Sequence, residues 1–149
     1  MFLWPVRVYY EDTDSGGVIY YANYLKYMER ARTEWLRSFG IEQDELLARH
    51  GIIFAVHSVA LDFIRPGRFN ELLYVSAHVS RRRRASMTFS QEVMRLATAG
   101  IGDIQNDGLS KENKTVLCAG HVKIACLDAV SMRPCQIPDN ILAEIACDS

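Results

Sequence analysis

The sequence predicts an α+β fold in which one long helix packs against an antiparallel sheet. Three observations carry this. The apolar pattern runs from a short β-like segment to a helical stripe and then to four further β-like segments. The connections R-P-G-R-F-N-E and R-R-R-R between the later segments are too short for crossover helices, so those strands pair antiparallel. With 149 residues and a composition 49% hydrophobic and 23% charged, the chain can bury a core without needing disulfides or a metal. A sheet covered by a helix on one face leaves a second face to bury, and self-association is the natural way to finish it.

The elements follow in order. Val6 to Tyr10, V-R-V-Y-Y, is rich in β-branched and aromatic residues and reads as a first strand, stopped by an acidic, glycine-containing turn. Between Ala22 and Phe39, Tyr24, Tyr27, Met28, Ala31, Trp35, Leu36 and Phe39 recur at helical spacing. Arg30, Glu34 and Arg37 fall largely off this stripe and give the helix a wet face, and Gly40 offers a stop. A shorter helix covers Gln43 to His50 and ends at Gly51. The four β-like runs end at Ile64, Ser80, Leu96 and Leu127. Ala97 to Lys114, with its glycines and asparagines, reads as a long hairpin loop, and I-P-D-N-I-L-A-E-I-A as the start of a terminal helix. No repeat, low-complexity tract or linker divides the chain, so residues 1–149 read as one domain.

Seventeen basic and 18 acidic residues leave a net charge of -1, which gives no global attraction to nucleic acid or to an anionic membrane. Cys118, Cys126, Cys135 and Cys147 form no C-x-x-C pair. They read as reduced thiols of a cytoplasmic protein, with a disulfide left open. M-F-L-W-P-V is too short an apolar run for a signal peptide, and no segment has the ~20 apolar residues of a membrane span.

The chemistry concentrates in E-D-T-D-S-G-G-V-I-Y-Y, residues 11–21, at the strand-to-helix turn. A carboxylate there lies near the positive end of the long helix, where free backbone N–H groups can hold a developing oxyanion. Acid and oxyanion donors in one place suit hydrolysis of an acyl group. The same residues also fit a purely structural role, with Asp12 or Asp14 capping the turn and Gly16 and Gly17 making it.

The run V-R-V-Y-Y-E-D-T-D-S-G-G-V-I-Y-Y-A-N-Y-L-K-Y-M-E-R-A-R-T-E-W-L-R resembles the signature of the hotdog-fold acyl-CoA thioesterases. The likeness continues through F-I-R-P-G-R-F-N-E, R-R-R-R-A-S-M-T-F-S-Q-E-V and V-K-I-A-C-L-D-A-V-S-M-R-P-C-Q-I-P. It is greatest to the Tol-Pal-associated YbgC type, close to the 4-hydroxybenzoyl-CoA thioesterases. The resemblance implies a five-stranded antiparallel sheet wrapped around a long central helix, paired into homodimers or homotetramers. It implies an acyl-CoA substrate and no cofactor or metal. Acyl carrier protein or phospholipid-synthesis enzymes are possible partners by family alone.

Mapped by that motif, Asp14 is the catalytic acid, acting as nucleophile or as general base on water. The backbone N–H of Tyr21 would polarise the carbonyl, and Gly17 would allow close approach. Many members of the YbgC type carry histidine at the position of Tyr21, so a histidine acid/base role is unavailable here. The Tyr21 ring reads equally as core filling. The four arginines Arg81, Arg82, Arg83 and Arg84 read as a solvated hairpin or, by the resemblance, as the grip on the coenzyme A phosphates. Glu29 could orient water or substrate, or pair with Arg32 or Arg7. Arg65, Pro66 and Gly67 read as a structural turn. His50, His57, His78 and His121 show no ligand spacing. Two rival readings are a non-catalytic acyl-CoA or acyl-carrier-protein binding module and a nucleic-acid patch on the arginine run.

Overall fold

A computed structural model describes residues 1–97 and 113–146. Its strands are β1 (Phe2–Arg7), β2 (Ile52–Phe63), β3 (Leu72–Arg82), β4 (Ser86–Leu96) and β5 (Lys114–Asp128). They form one sheet in the order β1-β3-β4-β5-β2, and every pairing is antiparallel. Three helices accompany it: α1 (Asn23–Arg37), α2 (Gln43–His50) and α3 (Asp139–Ala146). This is the α+β arrangement expected from the sequence.

The predicted helical stripe is the buried face of α1. Tyr24, Tyr27, Met28, Ala31, Trp35 and Leu36 are all buried, and Trp35 meets Phe89 of β4 edge-on with ring centroids 5.3 Å apart. The opposing floor is Leu73, Val75, Ala77 and Val79 of β3 with Met87, Phe89 and Val93 of β4. These are alternate residues, because a strand presents every second side chain to one face. Gly51 ends α2 with φ of 63°, a conformation that glycine adopts without penalty.

Two expectations need correcting. The first strand is Phe2–Arg7 rather than Val6 to Tyr10. Asp12 takes the Tyr9 N–H on its carboxylate at 2.9 Å and returns its own N–H to the Tyr9 carbonyl at 3.0 Å. That closes Tyr10–Asp12 into a single 3₁₀ turn. Pro5 is tolerated upstream because β1 is a sheet edge. Second, Glu29 forms an ion pair with neither Arg32 nor Arg7 among the described residues. It accepts the Thr33 hydroxyl at 2.9 Å, while buried Arg32 donates to Gln91 Oε1 at 3.0 Å and Arg7 donates to the Asn70 carbonyl at 2.8 Å. Gln91 in turn donates to the carbonyls of Met28 and Ser76, both at 3.1 Å. Arg32 is thereby drawn into the helix–sheet interface, away from its neighbour on α1.

Beyond β5 the chain turns at Asp128, whose Oδ1 accepts the N–H groups of Val130 and Ser131. It then returns alongside the strand, Arg133 and Cys135 bonding back to Asp128 and Cys126. Ile137 donates to the Arg84 carbonyl at 2.8 Å, and α3 follows with Ile141 and Ile145 buried. The expected Ala97 to Lys114 hairpin lies mostly outside the described residues. Its base is closed by Ala97 N–H donating to the Asn113 carbonyl at 2.9 Å.

Candidate active site

The two aspartates of D-T-D have different surroundings. Asp12 is buried, and its Oδ2 accepts both the Tyr9 N–H and the Tyr27 hydroxyl at 2.9 Å. Burial, followed by this bond, raises the Tyr27 phenol above its ordinary value. The Asp12 carbonyl receives the Tyr20 N–H at 2.9 Å and the Asn23 amide at 2.8 Å. Asp12 therefore ties the turn to α1. Asp14 is exposed and opens a tight hairpin: its N–H donates to the Val18 carbonyl, and the Gly17 N–H returns to the Asp14 carbonyl. Among the described residues only Oδ1 of its carboxylate is held, by the Gly16 N–H at 2.9 Å.

Gly17 has φ of 77°, and a Cβ built there would meet nothing within 4 Å. Its requirement is conformational, and the space above it is open to a ligand. Tyr21 lies in the turn just before α1, and among the described residues its N–H donates to no acceptor, as expected for a helix entrance. Its ring is 60% exposed, which removes the core-filling reading. The Tyr21 ring instead stands between those of Tyr20 and Phe63, with centroids 4.9 and 6.0 Å away. An exposed carboxylate, a free N–H and an apolar aromatic wall thus share one end of the molecule.

Gly67, read from the sequence as part of a structural turn, supports the D-T-D hairpin, a role that sequence reasoning missed. The Gly67 carbonyl accepts the Ile19 N–H at 2.8 Å, its N–H donates to the Tyr24 hydroxyl at 3.2 Å, and a Cβ there would lie 2.4 Å from Ile19 Cδ1. The turn carrying Gly67 is itself clamped by Arg95, whose guanidinium spans both Glu71 oxygens at 2.5 and 2.8 Å. No local signal marks Gly67 or Phe63 as neighbours of the D-T-D turn, since they reach it only through the sheet.

The arginines lie at the other end of β3. A bulge between Val79 and Arg81 shifts the register so that Arg81 opposes Thr88 and Arg82 opposes buried Met87, which places these two arginines on opposite faces. Arg83 and Arg84 make the turn, and Arg84 Nη2 donates to Gln136 Oε1 at 3.0 Å. Together with His78, Asp139 and Leu142 the four arginines line an open groove of about 960 Å³. The four histidines are exposed. Among the described residues no three His, Cys, Asp or Glu side chains cluster as a metal site, and no helix is long and apolar enough to cross a membrane.

Comparison with known proteins returns a match of residues 16–99 to the thioesterase superfamily. An acyl-CoA thioesterase YbgC from Haemophilus influenzae is 38% identical over 95% of this chain and 92% of its own length. An acyl-CoA thioester hydrolase YbgC from Escherichia coli is 35% identical over 97% and 95%. The solved structure of a 4-hydroxybenzoyl-CoA thioesterase bound to 4-hydroxybenzoyl-CoA superposes with a TM-score of 0.81 over 96% of each chain, at 15% identity. That likeness establishes the hotdog fold.

Proposed function

Given that this chain belongs to the thioesterase superfamily, with YbgC enzymes as its relatives, and is a thioester hydrolase, we propose that it hydrolyses acyl-CoA through Asp14. The observation that carries the assignment is the presence, on one strand-to-helix turn, of an exposed, half-held Asp14 carboxylate and an acceptor-free Tyr21 N–H. The thioester carbonyl oxygen lies on that N–H, which strengthens its bond as negative charge builds. Asp14 then either attacks the carbonyl carbon, expelling the coenzyme A thiolate and leaving a mixed anhydride for water to cleave, or takes a proton from the attacking water. Gly17 keeps the approach open, Tyr20, Tyr21 and Phe63 wall the acyl group, and Glu29 has a supporting place on α1. No metal or cofactor enters this chemistry. Coenzyme A as substrate favours a cytoplasmic enzyme.

The geometry supports a homodimer with shared sites. Asp14 sits at the Leu72 end of β3 and the arginines at the Arg82 end, about 33 Å away at ~3.3 Å per residue. That exceeds the reach of the pantetheine arm. Strand β2 is a free edge, with Val56, Val59 and Phe63 between 40% and 54% exposed. Beside it a groove of about 480 Å³ runs between α1 and β2, lined by Leu25, Val56, Val59 and Val122 and by four charged residues of α1. A second copy pairing β2 with β2 about a two-fold axis covers both features. Antiparallel pairing sets the Phe63 end of one protomer beside the Ile52 end of its partner. The partner's β3, which carries Arg81 and Arg82, then lies four strand spacings of ~4.8 Å, about 19 Å, from Phe63 and the Tyr21 ring packed on it. Arg81 to Arg84 of one protomer thus hold the phosphates while Asp14 of the other meets the thioester.

The test is thiol release from short, long and aromatic acyl-CoAs by wild type and Asp14→Asn. Turnover lost in the variant supports the assignment, and full activity in Asp14→Asn sinks it. Tight acyl-CoA binding without thiol release from any substrate would favour a binding module.

A further inference from the structure

Two cysteines far from Asp14 are placed for chemistry of their own. Cys126 lies near the end of β5 and Cys135 on the segment that returns beside it. Leu127 bridges Pro134 in an antiparallel register, and one step along the same register Cys126 faces Cys135. The Cys135 N–H donates to the Cys126 carbonyl at 2.9 Å, and the two sulfurs are 3.7 Å apart. Directly opposed residues of an antiparallel pair have Cα atoms about 4.5–5.5 Å apart, inside the ~4.4–6.8 Å range of disulfides.

We propose that Cys126 and Cys135 form a reversible dithiol–disulfide couple, oxidised by a small-molecule disulfide such as oxidised glutathione, that fastens the C-terminal segment to the sheet. The site stands independently of the thioesterase reading. Half-buried Cys135 is the entry point and Cys126 is buried behind it. The Cys135 thiolate attacks one glutathione sulfur and displaces the other glutathione as thiolate. The Cys126 thiolate then attacks the Cys135 sulfur of the mixed disulfide and displaces the second glutathione. Two cysteine thiols are oxidised to one disulfide, one glutathione disulfide is reduced to two thiols, and the two cysteine protons pass to the departing thiolates.

The local structure determines what closure restrains. Residue 136 follows Cys135 and holds Arg84 through its side chain, and Ile137 bonds to the Arg84 carbonyl. Immediately beyond is α3, whose Asp139 and Leu142 line the arginine groove. A covalent tie at Cys135 therefore restrains one wall of that groove. In the dithiol, burial and then the contact with Cys135 push the Cys126 thiol up to about 12.

The experiment uses the full chain with Cys147→Ser, which removes the other thiol from the tryptic peptide spanning residues 124–149. The protein is equilibrated in glutathione buffers of increasing oxidised fraction, acid-quenched, alkylated and mapped by mass. The expected result is a peptide lighter by two hydrogens, restored by dithiothreitol and absent after further Cys135→Ser substitution. Amide exchange in α3 should slow several-fold on oxidation. Two alkylated thiols at every buffer ratio, or glutathione retained on Cys135 without internal closure, overturns the couple. Closure with unchanged α3 exchange overturns the fastening.

Discussion

Replacing the two aspartates of D-T-D one at a time should separate folding from catalysis. Asp12→Ala removes the acceptor of two hydrogen bonds, from the Tyr9 N–H and the Tyr27 hydroxyl, both 2.9 Å long. Bonds to a charged group contribute about 1.5–3 kcal/mol each, and the buried Tyr27 hydroxyl would lose its acceptor. Because one carboxylate serves both bonds their contributions overlap, and a total loss of about 3 kcal/mol is expected. At roughly 2–4 °C per kcal/mol for a chain of this size, that lowers Tm by about 6–12 °C. Asp14→Asn keeps the shape of an exposed side chain and an oxygen for the Gly16 N–H. Its stability should stay within about 0.5 kcal/mol of wild type, while thiol release falls by about 10²- to 10⁴-fold. Urea unfolding and thiol release on the same preparations measure both quantities. A stable but inactive Asp12→Ala beside an active Asp14→Asn would refute the assignment of roles.

Other outcomes follow from the same geometry. Asp14→Asn mixed and refolded with a variant carrying alanine at Arg81, Arg82 and Arg83 should regain about a quarter of wild-type activity, since half the dimers are mixed and each has one intact site. No recovery would place Asp14 and its arginines in one protomer. Gly67→Ala drives a Cβ to 2.4 Å from Ile19 Cδ1 and should cost about 1–3 kcal/mol in denaturant titration. The hydrogen bond from Arg95 holds Glu71 below the usual carboxylate range. Its stabilisation is present above the unfolded value near ~4.3 and is lost as pH falls through the folded value. Glu71→Gln should therefore be less stable by at most about 1 kcal/mol at neutral pH, the pair being partly exposed, and that difference should vanish in acid. A constant difference across the titration would exclude this linkage.

Local pattern along the chain accounts for the elements other than the first strand. The stripe on α1, the end of α2 at Gly51 and the extents of the later strands depend on residues only a few positions apart, so local periodicity and one glycine suffice. The D-T-D motif and its resemblance direct attention to the strand-to-helix turn as the candidate site. Local pattern failed where a longer-range partner took over: Tyr27, fifteen residues on, buries Asp12, and Gln91, fifty-nine residues on, takes Arg32 from Glu29. Only the tertiary structure could decide which aspartate is exposed, that Gly67 supports the hairpin, and that Cys126 faces Cys135. It also decided that the arginines lie a full strand length from Asp14, because β3 runs away from the site it helps to frame. Periodicity is a property of neighbours along the chain, whereas burial and pairing belong to neighbours in space, and those exist only once the sheet has closed around α1.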